Sequence, residues 1–356
     1  MLRINITPHW ELGVASDALL DTTSLLALLA AVQETGAIAQ GARTMGMSYR
    51  HAWGQIKKAE ELFGHTLLNA GRGRGSTLTP LAEKLIWADR RIAARLSPML
   101  ESLASELANE LERTLPRPPQ ALRVHASHGF AIAALMQQLT AAGLQVELRY
   151  RNSFESVAAL SHGECDLAGF HVPIGEFEVP AAQRYRRWLR DDTHLLVQVA
   201  VRTQGLFAAP GNPKFVRSFA DLRRKDLRFV NRPEGSGTRM LTELMLAKQG
   251  ISHDEVTGFD SAEFTHAAVA AFIASDMADV GVGVQTAAQR FGLHFIPLVR
   301  ERYFLAMNRR ARDMDQMPQV IQLLQSPAYR SSVAALGGYE AADTGRVLGV
   351  REAFGV

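Results

Sequence analysis

The segment LPRPPQ at Leu115–Gln120 places three prolines, Pro116, Pro118 and Pro119, close together, and so divides the chain into parts that cannot share one architecture. Proline fixes φ and lacks an amide proton, so such a run is a stiff, extended linker. Before it, apolar residues recur with helical period. After it, short β-type runs alternate with helical ones. The chain therefore reads as multidomain: a largely helical head over residues 1–80, a long helix over 81–114, the linker at 115–120, and an α/β domain over 121–356.

In the head, LRINI (residues 2–6) alternates like a short strand. TTSLLALLAAVQETG reads as a helix capped by Thr22 or Thr23 and stopped at Gly36, and AIAQGARTM reads as a second helix. Gly46-Met47-Ser48 is a tight turn with Ser48 placed to cap a third helix, a helix-turn-helix spacing. On that third helix Tyr49, Ala52, Trp53, Ile56, Ala59 and Phe63 form one apolar stripe predicted to face the core. Ser48, Arg50, His51, Gln55, Lys57 and Lys58 fall largely outside it. Leu67-Leu68 and Thr77-Leu78 flank a glycine-arginine loop and predict a hairpin with a basic tip carrying Arg72 and Arg74. From Pro80 to about Arg113, Leu81, Leu85, Ala88, Ile92, Leu96, Leu100, Leu103, Leu107 and Leu111 make an apolar seam suited to pairing with a second copy. Pro98 predicts a kink or break near Leu96–Ser97.

Charge points the same way. Between Gly36 and Arg95 ten basic residues face four acidic ones, a local excess of six, although the whole chain carries only +3. Such clustering is the footprint of a phosphate-backbone site. Arginine can pair with guanine and glutamine with adenine, so Arg50 and Gln55 are candidate base readers, with Ser48, Tyr49 and His51 beside them. Lys57, Lys58, Arg72 and Arg74 suit phosphates. The competing reading of any single helix here is an amphipathic helix with a solvated charged face.

GAIAQGARTMGMSYRHAWGQIKKAEELFG, the glycine-rich wing and LTPLAEKLI together resemble the winged helix of the molybdate-responsive ModE-type regulators, above all in SYRHAW. LysR-type regulators share the general plan. The resemblance covers about residues 20–90 and implies a double-stranded DNA partner. ModE-type proteins carry small barrel domains after this head, whereas this chain carries something longer.

Beyond the linker, ALRVHAS, QVELRYR, CDLAGFHV, HLLVQVAV, LRFV, ADVGVGV and LHFIPL are β-type runs with helical stretches between them, which predicts mainly parallel strands. In FVNRPEGSGTRMLTELMLAKQG a strand ends at Val230, and Ser236, Gly237, Thr238 and Arg239 open a helix. Free amides, hydroxyls and a cation make an anion site; the alternative is a plain strand-to-helix turn capped by Ser236. The missing GKS or GKT ending excludes a P-loop.

The ordered set RVHASH, YRNSFESVAALSHGECDLAGFHV, GLFAAPGNP, RFVNRPEGSGTR, FTHAAVAAFIASDMADVGVGV and FIPLVRERYFL resembles the periplasmic-binding-protein-like domain attached to some DNA-binding regulators and some molybdenum-cofactor proteins. The resemblance implies two α/β lobes joined by crossing strands, with ligand in the cleft. On that template the ligand-binding candidates are Ser127, His128, Asn152, Ser153, His171, Arg202, Ser236, Gly237, Thr238, Arg239, Thr265, His266 and Tyr303. Each has an ordinary alternative: Ser127, Ser153 and Thr265 as helix caps, His171 as a core histidine.

Together these readings describe a cytoplasmic, dimeric or tetrameric transcriptional regulator. It senses a small anionic effector, with molybdate or tungstate first and formate or a molybdenum-cofactor pterin as alternatives. No resident cofactor, metal site or catalytic residue is assigned. Cys165 is the only cysteine, so no intrachain disulfide forms, and it reads as a core thiol. The apolar stretches are far shorter than a membrane span, and MLRINITPHWELG lacks the signal-peptide order. The rivals are a cytoplasmic oxyanion carrier or storage protein, and an enzyme acting on a phosphorylated substrate. The absence of an acid/base pair argues against the enzyme.

Overall fold

The computed structural model describes residues 4–13, 19–71, 75–114, 121–313 and 316–354. The linker at 115–120 and the hairpin tip with Arg72 and Arg74 lie outside the described residues. The chain divides into a compact unit, Thr7–Leu96, and a larger one that includes Ser97–Val356.

The smaller unit begins with a two-stranded ladder, β1 (Glu11–Leu12) with β2 (Leu20–Asp21). Residues 4–6 are not a strand, contrary to the alternation of LRINI. Helix α1 (Thr22–Thr35) is capped by the Asp21 carboxylate, which accepts from the Thr23 amide at 2.8 Å, and ends at Gly36 in the left-handed region. The side chain one place before the expected caps does the work, because a carboxylate reaches the first free amides well and favours the positive helix end. Helix α2 (Ile38–Thr44) packs closely on α1, since a Cβ on Gly41 would meet Val32 at 3.0 Å. Helix α3 (Tyr49–Phe63) is capped by the Ser48 hydroxyl, which accepts from the His51 amide at 3.2 Å. Strands β3 (Leu68–Gly71) and β4 (Gly75–Leu78) form the expected hairpin, strapped to the end of α1 by the Ser76 amide donating to Gly36 O at 2.7 Å.

Leu25, Leu28, Leu29, Val32, Ile38, Ala42, Ala52, Ile56, Ala59, Leu67, Leu78, Ala82 and Ile86 build the core of this unit. Tyr49 and Trp53 do not join it: they are 54% and 40% exposed. The core stripe of α3 runs through Ala52, Ile56 and Ala59, and the two aromatics fall on its flank, where small core residues leave no depth for large rings.

Helix α4 (Pro80–Arg113) is assigned without interruption, so Pro98 neither ends nor breaks it. One proline costs about 3 kcal/mol in a helix interior, which packing of the flanking turns outweighs. Beyond Pro98 this helix covers the free edge of a sheet: Ser102 Oγ and Ser105 Oγ accept from the Tyr150 and Leu148 amides, both at 2.9 Å.

In the larger unit, β5 (Leu122–Ala126), α5 (Phe130–Ala141), β6 (Val146–Tyr150), α6 (Ser153–Ser161), β7 (Leu167–Pro173) and α7 (Glu178–Tyr185) form the first lobe. A long strand, β8 (His194–Ala208), leads to β9 (Phe229–Val230), α8 (Gly237–Lys248), α9 (His266–Ala274), β10 (Val280–Val284) and α10 (Gln285–Arg290) of the second lobe. A second long strand, β11 (His294–Asn308), returns to the first lobe, which α11 (Met317–Gln325), α12 (Pro327–Ala334), β12 (Tyr339–Glu340), β13 (Val347–Gly349) and α13 (Val350–Phe354) complete.

The strand order is β6-β5-β7-β11-β8-β10-β9, with β12 and β13 also on β8. β5 pairs in parallel with β6 and β7, and β10 with β9. β11 and β8 run antiparallel to each other and to their neighbours. The expectation of mainly parallel strands is thus corrected: parallel pairing is confined to each lobe's outer strands, and two 15-residue strands cross between the lobes. Separate apolar cores lie on either side of the crossing, one around Val124, Leu135, Val197 and Leu305, another around Phe219, Phe229, Leu241 and Val280.

Candidate functional site

At the crossing, strand pairing sets Arg202 of β8 opposite Glu301 of β11. Arg202 Nε donates to Glu301 Oε1 at 2.5 Å, and both side chains are almost wholly buried. Gln204 Nε2 donates to the same carboxylate oxygen at 2.9 Å and to Thr238 Oγ1 at 2.8 Å. Burial opposes the Arg202 charge, but Glu301 and Tyr339 beside it outweigh that and hold its pKa above the usual value.

A second guanidinium lies within electrostatic reach of this carboxylate without pairing with it. Arg232 lies two residues beyond the end of β9, is buried, and places Nη2 on the Phe264 carbonyl at 2.5 Å. Its Nε and Nη1 have no hydrogen-bond partner among the described residues. Burial, and then repulsion from Arg202, push its pKa down to about 9, while Glu301 pulls the other way. Two buried cations thus face one carboxylate.

Neutral donors and acceptors surround them. His171 of β7 stacks on Tyr303 of β11, with ring centroids 4.1 Å apart. The His171 Nε2, Tyr303 Oη, His266 Nδ1 and Gln204 Oε1 atoms are buried without hydrogen-bond partners among the described residues. Burial first, then the two arginines, hold His171 and His266 well below the ordinary histidine range. Burial, then Arg232, brings His128 to about 4. All three are neutral at pH 7.

Four helices begin at this cluster. Gly129 precedes α5, and a Cβ there would lie 3.6 Å from Arg202 Nη1. Ser153 opens α6, Gly237 opens α8 and His266 opens α9. A Cβ on Gly237 would lie 3.4 Å from the His171 Cβ and 3.5 Å from Ser153 Oγ, so the first and second lobes meet there. First-turn amides have no partner within the helix and carry partial positive charge. Two buried cations, converging helix starts and unpartnered polar atoms thus lie together where the crossing strands meet the helix starts.

The sequence candidates divide. His128, Ser153, His171, Arg202, Gly237, Thr238, His266 and Tyr303 come together here. Asn152, Ser236 and Thr265 cap α6, α8 and α9, accepting from the Glu155, Arg239 and Ala268 amides at 2.9, 3.1 and 2.9 Å. Ser127 follows β5 and is partly buried. Arg239 is engaged elsewhere: Nε meets Glu243 at 3.0 Å, Nη1 meets Phe259 O at 3.2 Å, and the guanidinium lies 3.9 Å from the Phe259 ring. Arg232 takes the place expected of it. The sequence does carry a signal for it, a cation just past the end of a β-run in FVNRPEGSG.

In the head, α3 exposes Arg50, His51, Gly54, Lys57 and Lys58. Gln55 is half-buried; its amide donates to Ser24 Oγ at 3.0 Å and to His51 Nε2 at 3.1 Å, tying α3 to the start of α1. Asp21, Ser24, Ser48, Arg50, His51, Gly54, Gln55 and Lys58 line a groove of about 720 Å³. Tyr49 and Trp53 stack at 6.4 Å, with Lys57 Nζ 5.0 Å from the Trp53 ring.

Residues 133–325 match the profile of the PBP superfamily domain. The chain belongs to the PBP superfamily. Residues 23–83 match the bacterial regulatory helix-turn-helix protein, lysR family, so this PBP-superfamily chain carries a LysR-type head. It is 32% identical over 200 residues to the "Uncharacterized protein YvgK" of Bacillus subtilis (strain 168), covering 56% of this chain and 64% of that protein. It is 32% identical over 170 residues to the molybdenum-pterin-binding protein MopB of Rhodobacter capsulatus, covering 42% of this chain and 63% of that protein. The alignments thus span less than two thirds of either relative. Among solved structures, a hydrogen-peroxide-bound OxyR mutant from Corynebacterium glutamicum matches with 14% identity and a TM-score of 0.44, covering 87% of this chain and 93% of that chain.

Proposed function

We propose that this protein is a DNA-binding transcriptional regulator whose PBP-superfamily domain senses a small anion. The LysR-family head supports the DNA-binding half, together with the cationic, exposed face of α3. LysR-type regulators are not enzymes, and this reading assigns no reaction to the cleft.

One observation carries the sensing half: Arg232 is buried with two unpartnered nitrogens beside a pair, Arg202–Glu301, that is already matched. A buried, unmatched cation is costly, and a bound anion removes the cost. A closing anion would accept from Arg232 and from the first turns of α6, α8 and α9, with His171, His266 and Tyr303 completing its shell. Molybdate and tungstate come first, because compact oxyanions suit so many convergent donors and because MopB, by its name, binds a molybdenum-pterin. Formate and a molybdenum-cofactor pterin are the next candidates, and molybdoenzyme-related genes the corresponding targets.

On α4, Met99, Leu103, Leu107 and Leu111 recur every four residues and are exposed. That stripe suits a second copy, so a dimer or tetramer reading an operator with dyad symmetry is the proposed assembly. For regulation the anion must bind one arrangement of the assembly better than the other.

The test is a thermal-shift panel of molybdate, tungstate, sulfate, phosphate and formate on the wild-type chain and on Arg232→Met. A concentration-dependent rise of the midpoint in wild type alone supports the reading. A rise of equal size in both places the anion somewhere else.

A further inference from the structure

Gly54 sits in the middle of α3 with no structural reason to be glycine. Its φ is not in the left-handed region, and a Cβ built there meets nothing within 4 Å. Glycine is the weakest helix former after proline, so an open, right-handed helical position favours alanine for stability. Gly41 in α2 shows the contrast: there a Cβ would press on Val32 at 3.0 Å, and the close packing of α1 on α2 explains the residue.

The surroundings of Gly54 are specific. The buried stripe of α3 runs through Ala52, Ile56 and Ala59, and Gly54 lies on the opposite, exposed side. One turn before it stands Arg50 and one turn after it Lys58, both exposed. On one flank lies the Tyr49–Trp53 stack with Lys57 beside it. On the other, His51 and Gln55 are held in a hydrogen-bonded chain to Ser24. The exposed face of α3 is therefore a bare stretch of backbone with ordered walls and a cation at each end.

We propose that Gly54 is the point at which the backbone of α3 lies against the floor of the DNA major groove, and that its missing side chain sets the depth at which Arg50 and Lys58 reach base edges and phosphates. The inference rests on the DNA-binding reading above. The groove admits a helix only as closely as its most exposed side chains allow. A notch between two long cations lets the axis descend while those side chains splay past it. A methyl group at this position holds the helix off, so base contacts lengthen before phosphate contacts do. The cationic ends favour a polyanion as occupant, and the open width beside α1 favours a duplex edge over a buried peptide.

The experiment uses the full chain. Wild type first selects short duplexes from a randomised pool, and Gly54→Ala and Gly54→Leu are then compared on a selected duplex and on an unselected one. Circular dichroism melting is run on every variant. The expected result is that Gly54→Ala melts at or above the wild-type midpoint, binds the selected duplex about tenfold more weakly or worse, and keeps its low-salt affinity for the unselected one; Gly54→Leu loses more on the selected duplex. Undiminished binding of the selected duplex by a folded Gly54→Ala protein overturns the proposal. A wild-type chain that binds no duplex at low salt overturns the DNA-binding reading itself, so the two failures look different.

Discussion

Arg202 and Glu301 are register partners at the centre of the two crossing strands, and their 2.5 Å contact is the charge-paired half of a cluster that holds a second buried guanidinium, Arg232. Glu301 pairs with Arg202 and also offsets part of the Arg232 charge at a distance. Replacing it with alanine leaves two cations buried without a carboxylate. Loss of one partner of a buried ion pair costs about 3–5 kcal/mol, so Glu301→Ala should melt many degrees below wild type. A melting curve within a degree or two of wild type would show that the cluster is more hydrated than its burial indicates.

Arg232 gives the opposite expectation. Arg232→Met removes an unmatched charge while keeping a long apolar stem, so the chain without effector should gain about 1–3 kcal/mol. Denaturant unfolding measures this directly. A large destabilisation would mean that Arg232 has a partner which repays its burial.

Acidity should act through His128, His171 and His266: Arg232 acts on all three, Arg202 on His171 and His266, and the other two histidines on His266. Their folded pKa values lie below the unfolded value near 6.5. The folded state therefore binds fewer protons, and its stability is full above about pH 6.5 and falls as pH drops toward 4, the value for His128. A bound anion raises these pKa values, so affinity should increase as pH falls from 7.5 to 5.5. Melting curves and anion titrations across that range test both signs; affinity that falls with acid contradicts the placement of the anion beside the histidines.

Cys165 is buried, and burial, with Asp166 next, pushes its thiol up to about 12. A thiolate is the reactive form. A disulfide-exchange reagent should leave the folded chain unmodified and label it at the rate of unfolding. Prompt labelling of folded protein would place the thiol at the surface.

Much of the head was legible in the sequence because its signals are local. Caps at Ser48 and Gly36, and the period of Leu25, Leu28, Leu29 and Val32, act within a few residues. Tyr49 and Trp53 were misplaced because hydrophobicity alone does not say how deep a site is; Ala52 and Ala59 set a shallow core that only the packed head reveals. The continuity of α4 through Pro98 was not legible, because the local penalty of a proline is visible in the sequence whereas the packing of Ser102 and Ser105 on β6 is not. In the second domain the helix starts at Ser236 and Thr265 were legible as capping chemistry, whereas α6 is capped by Asn152, one place before Ser153, and α5 starts after Gly129 with no side-chain cap. The pairing of Arg202 with Glu301, 99 residues apart, and the isolation of Arg232 are products of the crossing strands, and no local pattern carries them.

The central claim is that an anion held at Arg232 changes the grip of α3 on DNA. Its most direct measurement is equilibrium binding of the full chain to a duplex selected by wild type, titrated with sodium molybdate at constant ionic strength, with tungstate and formate in parallel. The account predicts a shift of about 5-fold or more in wild-type affinity and none in Arg232→Met. Affinity that ignores all three anions, or shifts equally in both proteins, contradicts it.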